Sequence, residues 1–271
     1  MELQMAELLF SAPPRFDFAK VKACAERILG EELESPAPGD PGSSYLLVHK
    51  SHVVTYSDGR APAQTAIFTA DKSAEPERYT ELIQQSWGFQ ECDTVVERAR
   101  HTLAICELMA RQLEPVERVR LFHGVLQALL ECTEPDAIAF HHSQQVVHPQ
   151  AYRESTSSAP ILRPGALNVR FFNIENSDGD MLMDTRGLTE VGLHDLQCHF
   201  RDLDPDQVAR VLMNTAIYVF ENGPVIESGN TVAGVEEGTK WRCQFEEALV
   251  APPREVLDLD PGARHAAGNR S

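Results

Sequence analysis

Apolar residues along the chain switch between two spacings, and this switching predicts strands interleaved with helices. Residues 3–10 form an apolar run that predicts a first strand. Asp17 then stands at an N-cap position, and apolar residues recur at helical spacing as far as Gly30. The chain therefore opens with a strand followed by a helix.

The rest of the first half continues this alternation. Pro115 suits the first position of a helix, and the apolar stripe that follows it is the clearest in this half. The pattern predicts strands at 45–49, 52–56, 66–69, 102–108 and 137–140, and helices at 75–87 and 114–131.

The second half repeats the theme in fewer residues. Asp204 and Pro205 carry the signals of a helix start, and Asn222 with Gly223 marks its end. Alternating residues predict strands at 168–174, 180–185, 195–200 and 240–249.

These elements predict an α/β protein of the α+β kind, with mixed β-sheets, packed helices and two similar-looking halves. We expect an N-terminal half at 1–153 and a C-terminal half at 166–258. A linker or long loop at 154–165 would join them, because this segment is rich in Ser and Pro. The Gly- and Ala-rich tail at 261–271 is expected to be disordered.

Charge excludes one large class of function. The chain of 271 residues has 24 Lys and Arg against 41 Asp and Glu, a net charge of −17. Binding to nucleic acid depends on Lys and Arg that neutralise phosphates, so direct DNA or RNA binding is not expected. A negative field instead attracts a basic protein.

The N-terminal sequence lacks the basic and apolar regions of a secretory signal, so we expect a cytoplasmic protein. No apolar run reaches the length of a membrane span, and no membrane partner is expected. The six cysteines stand singly, as expected of small apolar side chains in a reducing compartment.

Familiar catalytic and nucleotide-binding motifs are absent, and we expect no cofactor. His141, His142 and His148 lie close together in sequence and could bind zinc with a nearby carboxylate. Their spacing matches no known zinc pattern, which favours loop histidines and no metal site.

Two polar segments of the second half allow a catalytic or a structural interpretation. On a strand, Asp195 and His199 share a face, as a catalytic pair would. Alternatively, Arg186 pairs with Asp184 or Asp195 and fixes a corner between strands, with Gly187 supplying backbone freedom. We favour the structural interpretation and expect no catalytic residue.

Acidic clusters are the remaining candidates, and their number suggests a surface that binds a basic partner. The candidate partner-binding residues are Glu31, Glu32, Glu34, Asp178, Asp180, Glu236, Glu237, Glu246 and Glu247.

Several motifs of the second half resemble the bacterial family named domain of unknown function 4261. They are the segment 184–188, the segment 192–197, the helix that starts at Asp204, Tyr218, and the strand at 240–252 that contains Trp241. The resemblance extends in element order over most of residues 1–258.

Some members of that family resemble immunity proteins encoded beside toxins of the type VI secretion system, including nuclease toxins. The resemblance therefore implies an immunity protein that neutralises a cognate antibacterial effector by stoichiometric binding. One alternative is a small hydrolase or modifying enzyme that uses Asp195, His199 and Arg186. Another is a structural accessory protein of a secretion cluster.

Overall fold

Each half of the chain folds around its own six-stranded sheet, which confirms the predicted α+β class. The computed structural model describes residues 3–36, 44–57, 59–69, 75–155, 160–177 and 179–268. The chain divides into a first unit, Met1–Ala166, and a second unit, Leu167–Ser271.

The first unit has strands in the order β2-β3-β4-β1-β5-β6, and every neighbouring pair is antiparallel. Two 3₁₀ turns, Pro76–Tyr79 and Pro160–Leu162, accompany these elements. The strands are β1 (Met5–Phe10), β2 (Ser44–Tyr56), β3 (Gly59–Thr69), β4 (His101–Leu108), β5 (Ala137–Phe140) and β6 (Gln145–Val147), and the helices are α1 (Phe18–Leu29), α2 (Thr80–Gln84), α3 (Cys92–Arg98), α4 (Pro115–Cys132) and α5 (Pro149–Glu154).

The predicted start and end of α1 are confirmed. Asp17 accepts a hydrogen bond from the Ala19 amide at 2.9 Å, and Gly30 ends the helix with a φ of 70°. Helices α1 and α4 pack together and contribute to one apolar core with the sheet, in which Leu8 and Phe122 are fully buried. A second core, around Tyr79, includes residues of α2 and α3.

Other predictions for this half are wrong in detail. The segments 45–49 and 52–56 belong to one continuous strand, β2, with a pairing irregularity between His49 and Val53 where we expected a turn. The helix expected at 75–87 is a 3₁₀ turn followed by a helix that ends at Gln84. Helices α3 and α5 and strand β6 were not predicted, because elements of three to seven residues carry little periodic signal.

Residues 160–166 are packed into the first unit and do not act as a free linker. Ile161 is fully buried, and the Ser143 hydroxyl donates to the Gly165 carbonyl at 2.6 Å. Gly165 has a φ of 90° and lies against the ring of Phe140. The expected linker at 154–165 therefore begins at the end of α5 and finishes in the core, and its residues 156–159 lie outside the described residues.

In the second unit the strand order is β10-β11-β12-β9-β8-β7. Strands β12 and β9 are parallel, and the other neighbours are antiparallel. A 3₁₀ turn, Thr189–Val191, follows β8. The elements are β7 (Asn168–Asn173), β8 (Met181–Arg186), β9 (Asp195–Phe200), α6 (Pro205–Asn222), β10 (Thr231–Ala233), β11 (Lys240–Glu247) and β12 (Glu255–Asp260). The two halves thus resemble each other in strand number but differ in strand pairing.

Helix α6 packs on one face of this sheet, against β7, β8 and β9. The Asp204 carboxylate accepts from the Asp206 amide at 2.9 Å, which confirms the predicted start, and Gly223 follows the last helical residue with a φ of 79°. Trp241 and Cys243 of β11 are buried while Arg242 and Gln244 between them are exposed, as alternation in a strand requires.

Part of the predicted disordered tail is attached to the second unit. The Arg201 amide donates to the His265 carbonyl at 2.8 Å, and the Ala267 amide donates to the His199 carbonyl at 3.2 Å. Ala267 is fully buried. The prediction of disorder from residue 261 is therefore wrong for these residues, and 269–271 lie outside the described residues.

Within the described ranges, no helix combines the length and the apolar character that a membrane crossing needs.

Replacing Gly165 by alanine should destabilise the first unit. An added Cβ would lie 2.2 Å from Phe140 Cζ, at a backbone φ that alanine rarely adopts. Gly30→Ala is a matched control, since Gly30 also has a positive φ but has open space around it. In urea denaturation, Gly165→Ala should cost about 1–3 kcal/mol more than Gly30→Ala, the range of overpacking penalties. Equal losses would contradict the close packing of Gly165.

Candidate functional site

The polar segments that resemble the family lie in a buried ionic network of the second unit. Its members are three arginines and three carboxylates, each with a side chain at most 6% exposed. They are Arg170, Asp184, Arg186, Glu190, Asp195 and Arg254.

Asp184 on β8 is held between two arginines. Its Oδ1 accepts from Arg170 Nε at 2.8 Å, and its Oδ2 accepts from Arg254 Nη2 at 2.6 Å. Arg170 comes from the neighbouring strand β7, where it is the register partner of Asp184. Arg254 comes from the segment that enters β12.

Asp195, at the start of β9, accepts from several donors. Its Oδ2 lies 3.1 Å from Arg254 Nε and 3.2 Å from Arg186 Nη1. The Thr189 hydroxyl and the Leu188 amide also donate to it, at 2.8 and 3.1 Å. Arg254 thus joins Asp184 and Asp195 through two different nitrogens.

Arg186 completes the network and the turn after β8. Its Nη1 pairs with Asp195, and its Nη2 donates to Glu190 at 2.9 Å. Gly187, with a φ of 129°, allows the chain to turn there. Of the two carboxylates considered from the sequence, Asp195 is the one that Arg186 contacts.

The network has three positive and three negative groups, so its charges compensate one another away from water. Buried ion pairs with this many hydrogen bonds fix geometry, and leaving one partner unpaired is costly. These side chains are therefore engaged in holding β7, β8, β9 and the entry to β12 together. The geometry favours the structural interpretation of Asp184, Arg186 and Asp195.

Asp195 and His199 share a face of β9, but nothing brings them together as a pair. Four residues of extended strand separate their Cα atoms by about 13 Å. His199 Nε2 lies 4.0 Å from Asp180 Oδ2, and Asp180 also pairs with Arg201 Nε at 3.3 Å. The three residues of the hydrolase alternative, Asp195, His199 and Arg186, do not converge on one point.

The acidic candidates of the first unit divide into one buried and two exposed residues. Glu31 bridges two histidines, with Oε1 2.9 Å from His49 Nδ1 and Oε2 2.9 Å from His52 Nε2. Glu32 and Glu34 are exposed and lie 3.6 and 3.0 Å from the amino group of Lys50. Glu31 is therefore engaged within the fold, whereas Glu32 and Glu34 lie at the surface.

In the second unit, Asp180 is largely buried beside Arg201, so it is a poor surface candidate. Glu236, Glu237 and Glu247 are exposed, and Glu246 is half-buried. Asp178 lies outside the described residues.

A groove runs between α6 and β10 in the second unit. It encloses about 450 Å³, and Tyr218 and Val225, each 50% exposed, form its apolar part. Trp241 is buried beside it, and a Cβ on Gly234 would lie 2.5 Å from the indole nitrogen of Trp241. Because Gly234 has no side chain, the hairpin formed by β10 and β11 can close over Trp241.

The first unit contains a second buried polar cluster, centred on Glu7 of β1. Its carboxylate accepts from the Tyr79 hydroxyl and from Arg78, with His141 Nε2 at 3.5 Å. Burial by itself would raise the pKa of Glu7, but the hydrogen bonds and charges of His141, Tyr79 and Arg78 outweigh it and lower the pKa to about 2. These groups stabilise the charged carboxylate inside the fold.

The three histidines considered for zinc have separate roles. His141 lies beside Glu7, the buried His142 contacts the backbone of Met5, and His148 caps α5 by accepting from the Gln150 amide. Within the described residues, no group of three or more His, Cys, Asp or Glu side chains is arranged to hold a metal ion.

Sequence reasoning missed Arg170, Glu190 and Arg254, which complete the network. Arg254 lies 59 and 70 residues away from its two carboxylate partners. One signal was available for Glu190, since it stands four residues after Arg186. Sequence reasoning also missed the groove between α6 and β10, because β10 has only three residues and no alternating pattern surrounds it.

Removing Arg254 should destabilise the second unit strongly. An Arg254→Met substitution leaves Asp184 and Asp195 buried with fewer positive partners, and such losses cost about 3–5 kcal/mol. Arg242→Met is the control, since Arg242 is exposed on β11 and should change stability by less than about 0.5 kcal/mol. Chemical denaturation measures both. Similar small losses for the two variants would contradict a structural role of the network.

His49 should make stability depend on pH in mildly acidic solution. Its burial lowers its pKa below the ordinary value of 6.5 and outweighs the opposing effect of Glu31. As pH falls below 6.5, the unfolded chain takes up a proton that the folded chain does not, so stability is full above 6.5 and declines below it. Melting temperatures between pH 8 and 5 should fall less in His49→Asn than in the parent. His194→Asn, at a half-exposed histidine, is the control for the substitution itself. An unchanged slope in His49→Asn would contradict this assignment.

Residues 184–260 match a protein family described as Domain of unknown function (DUF4261). The match includes Asp184, Arg186, Asp195, Arg254 and the α6–β10 groove, but not Arg170. It covers less than a third of the chain, so the resemblance drawn over residues 1–258 remains a prediction outside 184–260. None of the curated proteins matches the chain. The family-like part of this protein thus comprises the core of its second unit.

Proposed function

We propose that this chain is an immunity protein that neutralises a cognate antibacterial effector, a type VI secretion toxin of nuclease type, by direct stoichiometric binding in the cytoplasm. The observation that carries the proposal is a net charge of −17, most of which lies on exposed side chains.

The location of the charge supports a binding role. In the ionic network of the second unit, three arginines balance three carboxylates, and in the first unit Glu107 pairs with the fully buried Arg118. The buried residues carry six carboxylates against three arginines, about three of the seventeen excess charges, so most of the excess lies on the surface, where it can act on a partner. A nuclease has a basic surface for phosphates, which an acidic protein can cover.

The buried network also favours binding over the hydrolase alternative. Asp195 and Arg186 are engaged with each other, and His199 is engaged near Asp180. Catalysis by these residues would require them to meet at a substrate with open access, whereas His199 is separated from the other two and all three are largely buried. Nothing in the described residues specifically favours the secretion-scaffold alternative.

The test is co-expression with the toxin encoded by a neighbouring gene, together with capture of that toxin by the purified chain. We expect protection of the cells and a complex whose association rate falls at least about tenfold between low and high salt, since exposed charges are screened over about 8 Å at physiological ionic strength. Absence of both protection and capture would refute the proposal. Capture with a salt-independent rate would refute the part that assigns binding to the acidic surface.

A further inference from the structure

The groove between α6 and β10 combines three properties that the proposed function leaves unassigned. It has an open strand edge, an exposed apolar floor and four exposed glutamates in the segments that flank it. All three lie in the second unit and within the family match.

The strand edge belongs to β10, the last strand of its sheet. Strand β10 pairs with β11 on one side, and the sheet order places no strand of the described chain on its other side. Such an edge presents a row of backbone N–H and C=O groups that can pair with an added strand.

The apolar floor lies directly beside this edge. Tyr218 and Val225 are each half exposed, although large apolar side chains are usually covered. Residues of α6 and residues 230–234 line the same groove. The three residues of β10 span about 10 Å, so a short extended segment can pair along this edge.

The charged side chains of the segment that forms and flanks the groove, residues 211–239, are all negative. Residues 211–239 contain glutamates but no Lys, Arg or His. The four glutamates are Glu221, Glu227, Glu236 and Glu237, all exposed. In the portion of the chain that the structure describes, no ion pair joins any of these carboxylates to a basic side chain.

The nearest basic residues along the chain are Arg210 on α6 and Lys240 on β11. Arg210 is exposed and stands one helical turn before Asn214, which lines the groove. Lys240 and Arg242 alternate with Trp241 on β11, so they lie on the opposite face of the sheet. Trp241 shares its face with Phe245, and Phe245 lines a small pocket with Val219 of α6. The segments around the groove thus carry four exposed glutamates against one arginine.

We propose that the α6–β10 groove is the docking site for an extended basic segment of the partner protein, which adds as a strand to β10 and places apolar side chains on Tyr218 and Val225. Lysines or arginines of that segment would face the four glutamates. This inference rests on the proposed function for the identity of the partner, but binding at the α6–β10 groove can be tested with a defined peptide.

The probe is a ten-residue peptide that alternates lysine with valine, and its twin carries glutamate in place of lysine. The chain has two tryptophans, so a Trp87→Phe background leaves the fluorescence of Trp241 as the reporter beside the groove. We expect saturable binding of the basic peptide, with amide shifts concentrated at 231–233, and no binding of the acidic twin.

Three variants test which surface is used. Tyr218→Ser and the pair Glu236→Lys with Glu237→Lys should each weaken the basic peptide about tenfold or more, as loss of an interface anchor does. The matched control is Glu175→Lys with Glu255→Lys, which makes the same change in net charge at two exposed residues of the same unit outside the groove. The control should retain affinity within about twofold to threefold, the effect of long-range charge alone.

The same variants are then used with the captured effector, and the outcomes separate the two proposals. Peptide binding at the groove without any effector recognition would refute the immunity function and leave the docking surface standing. If Tyr218→Ser and the Glu236→Lys, Glu237→Lys pair capture the effector as well as the parent chain does, the docking site is refuted and the immunity function is retained. Failure of the basic peptide to bind, or equal loss in the Glu175 and Glu255 control, would also overturn the docking site.

Discussion

The second unit depends on one arginine that bridges two buried carboxylates. Arg254 contacts Asp184 at 2.6 Å and Asp195 at 3.1 Å. These carboxylates lie on neighbouring strands, β8 and β9, and Arg170 and Arg186 provide further positive charge to them. Because unpaired charges in the interior are costly, the strands, the turn after β8 and the entry to β12 can be buried only together.

This constraint assigns a structural role to the polar residues of the family-like region. Their charged groups pair with one another within the fold, three positive with three negative. Most of the excess of carboxylates lies at the surface. Our proposal assigns this acidic surface to recognition of a partner, whereas the buried network specifies the fold.

Local signals in the sequence predicted much of the fold. Asp17 and Asp204 were recognised as caps because a cap depends on neighbouring amides, and β5 and β9 were predicted with the bounds that they have. Strand β12 was missed, since Glu255–Asp260 contains alternating acids that are typical of a loop. Asp258 is nonetheless 1% exposed, because β12 lies between β9 and β11 in the sheet.

The candidate site was less predictable, because its contacts join distant segments. Arg186 was assigned a structural pairing from local spacing, whereas Arg254 could not be linked to Asp184 without the fold. Glu31 was assigned to the surface as one of an acidic run, but His49 and His52 of β2 make it an internal partner. Whether a carboxylate is exposed or paired depends on tertiary packing, and a count of charges along the sequence gives no information about that packing.

Our central claim is that the protein inhibits its partner by binding to it and not by modifying it covalently. The most direct measurement is a titration of the purified chain into a fixed amount of active effector, with the effector's activity as the readout. We predict a linear fall that ends at equimolar chain, with the masses of both proteins unchanged. Complete inactivation by a small fraction of an equivalent, or a change in the mass of the effector, would contradict the account.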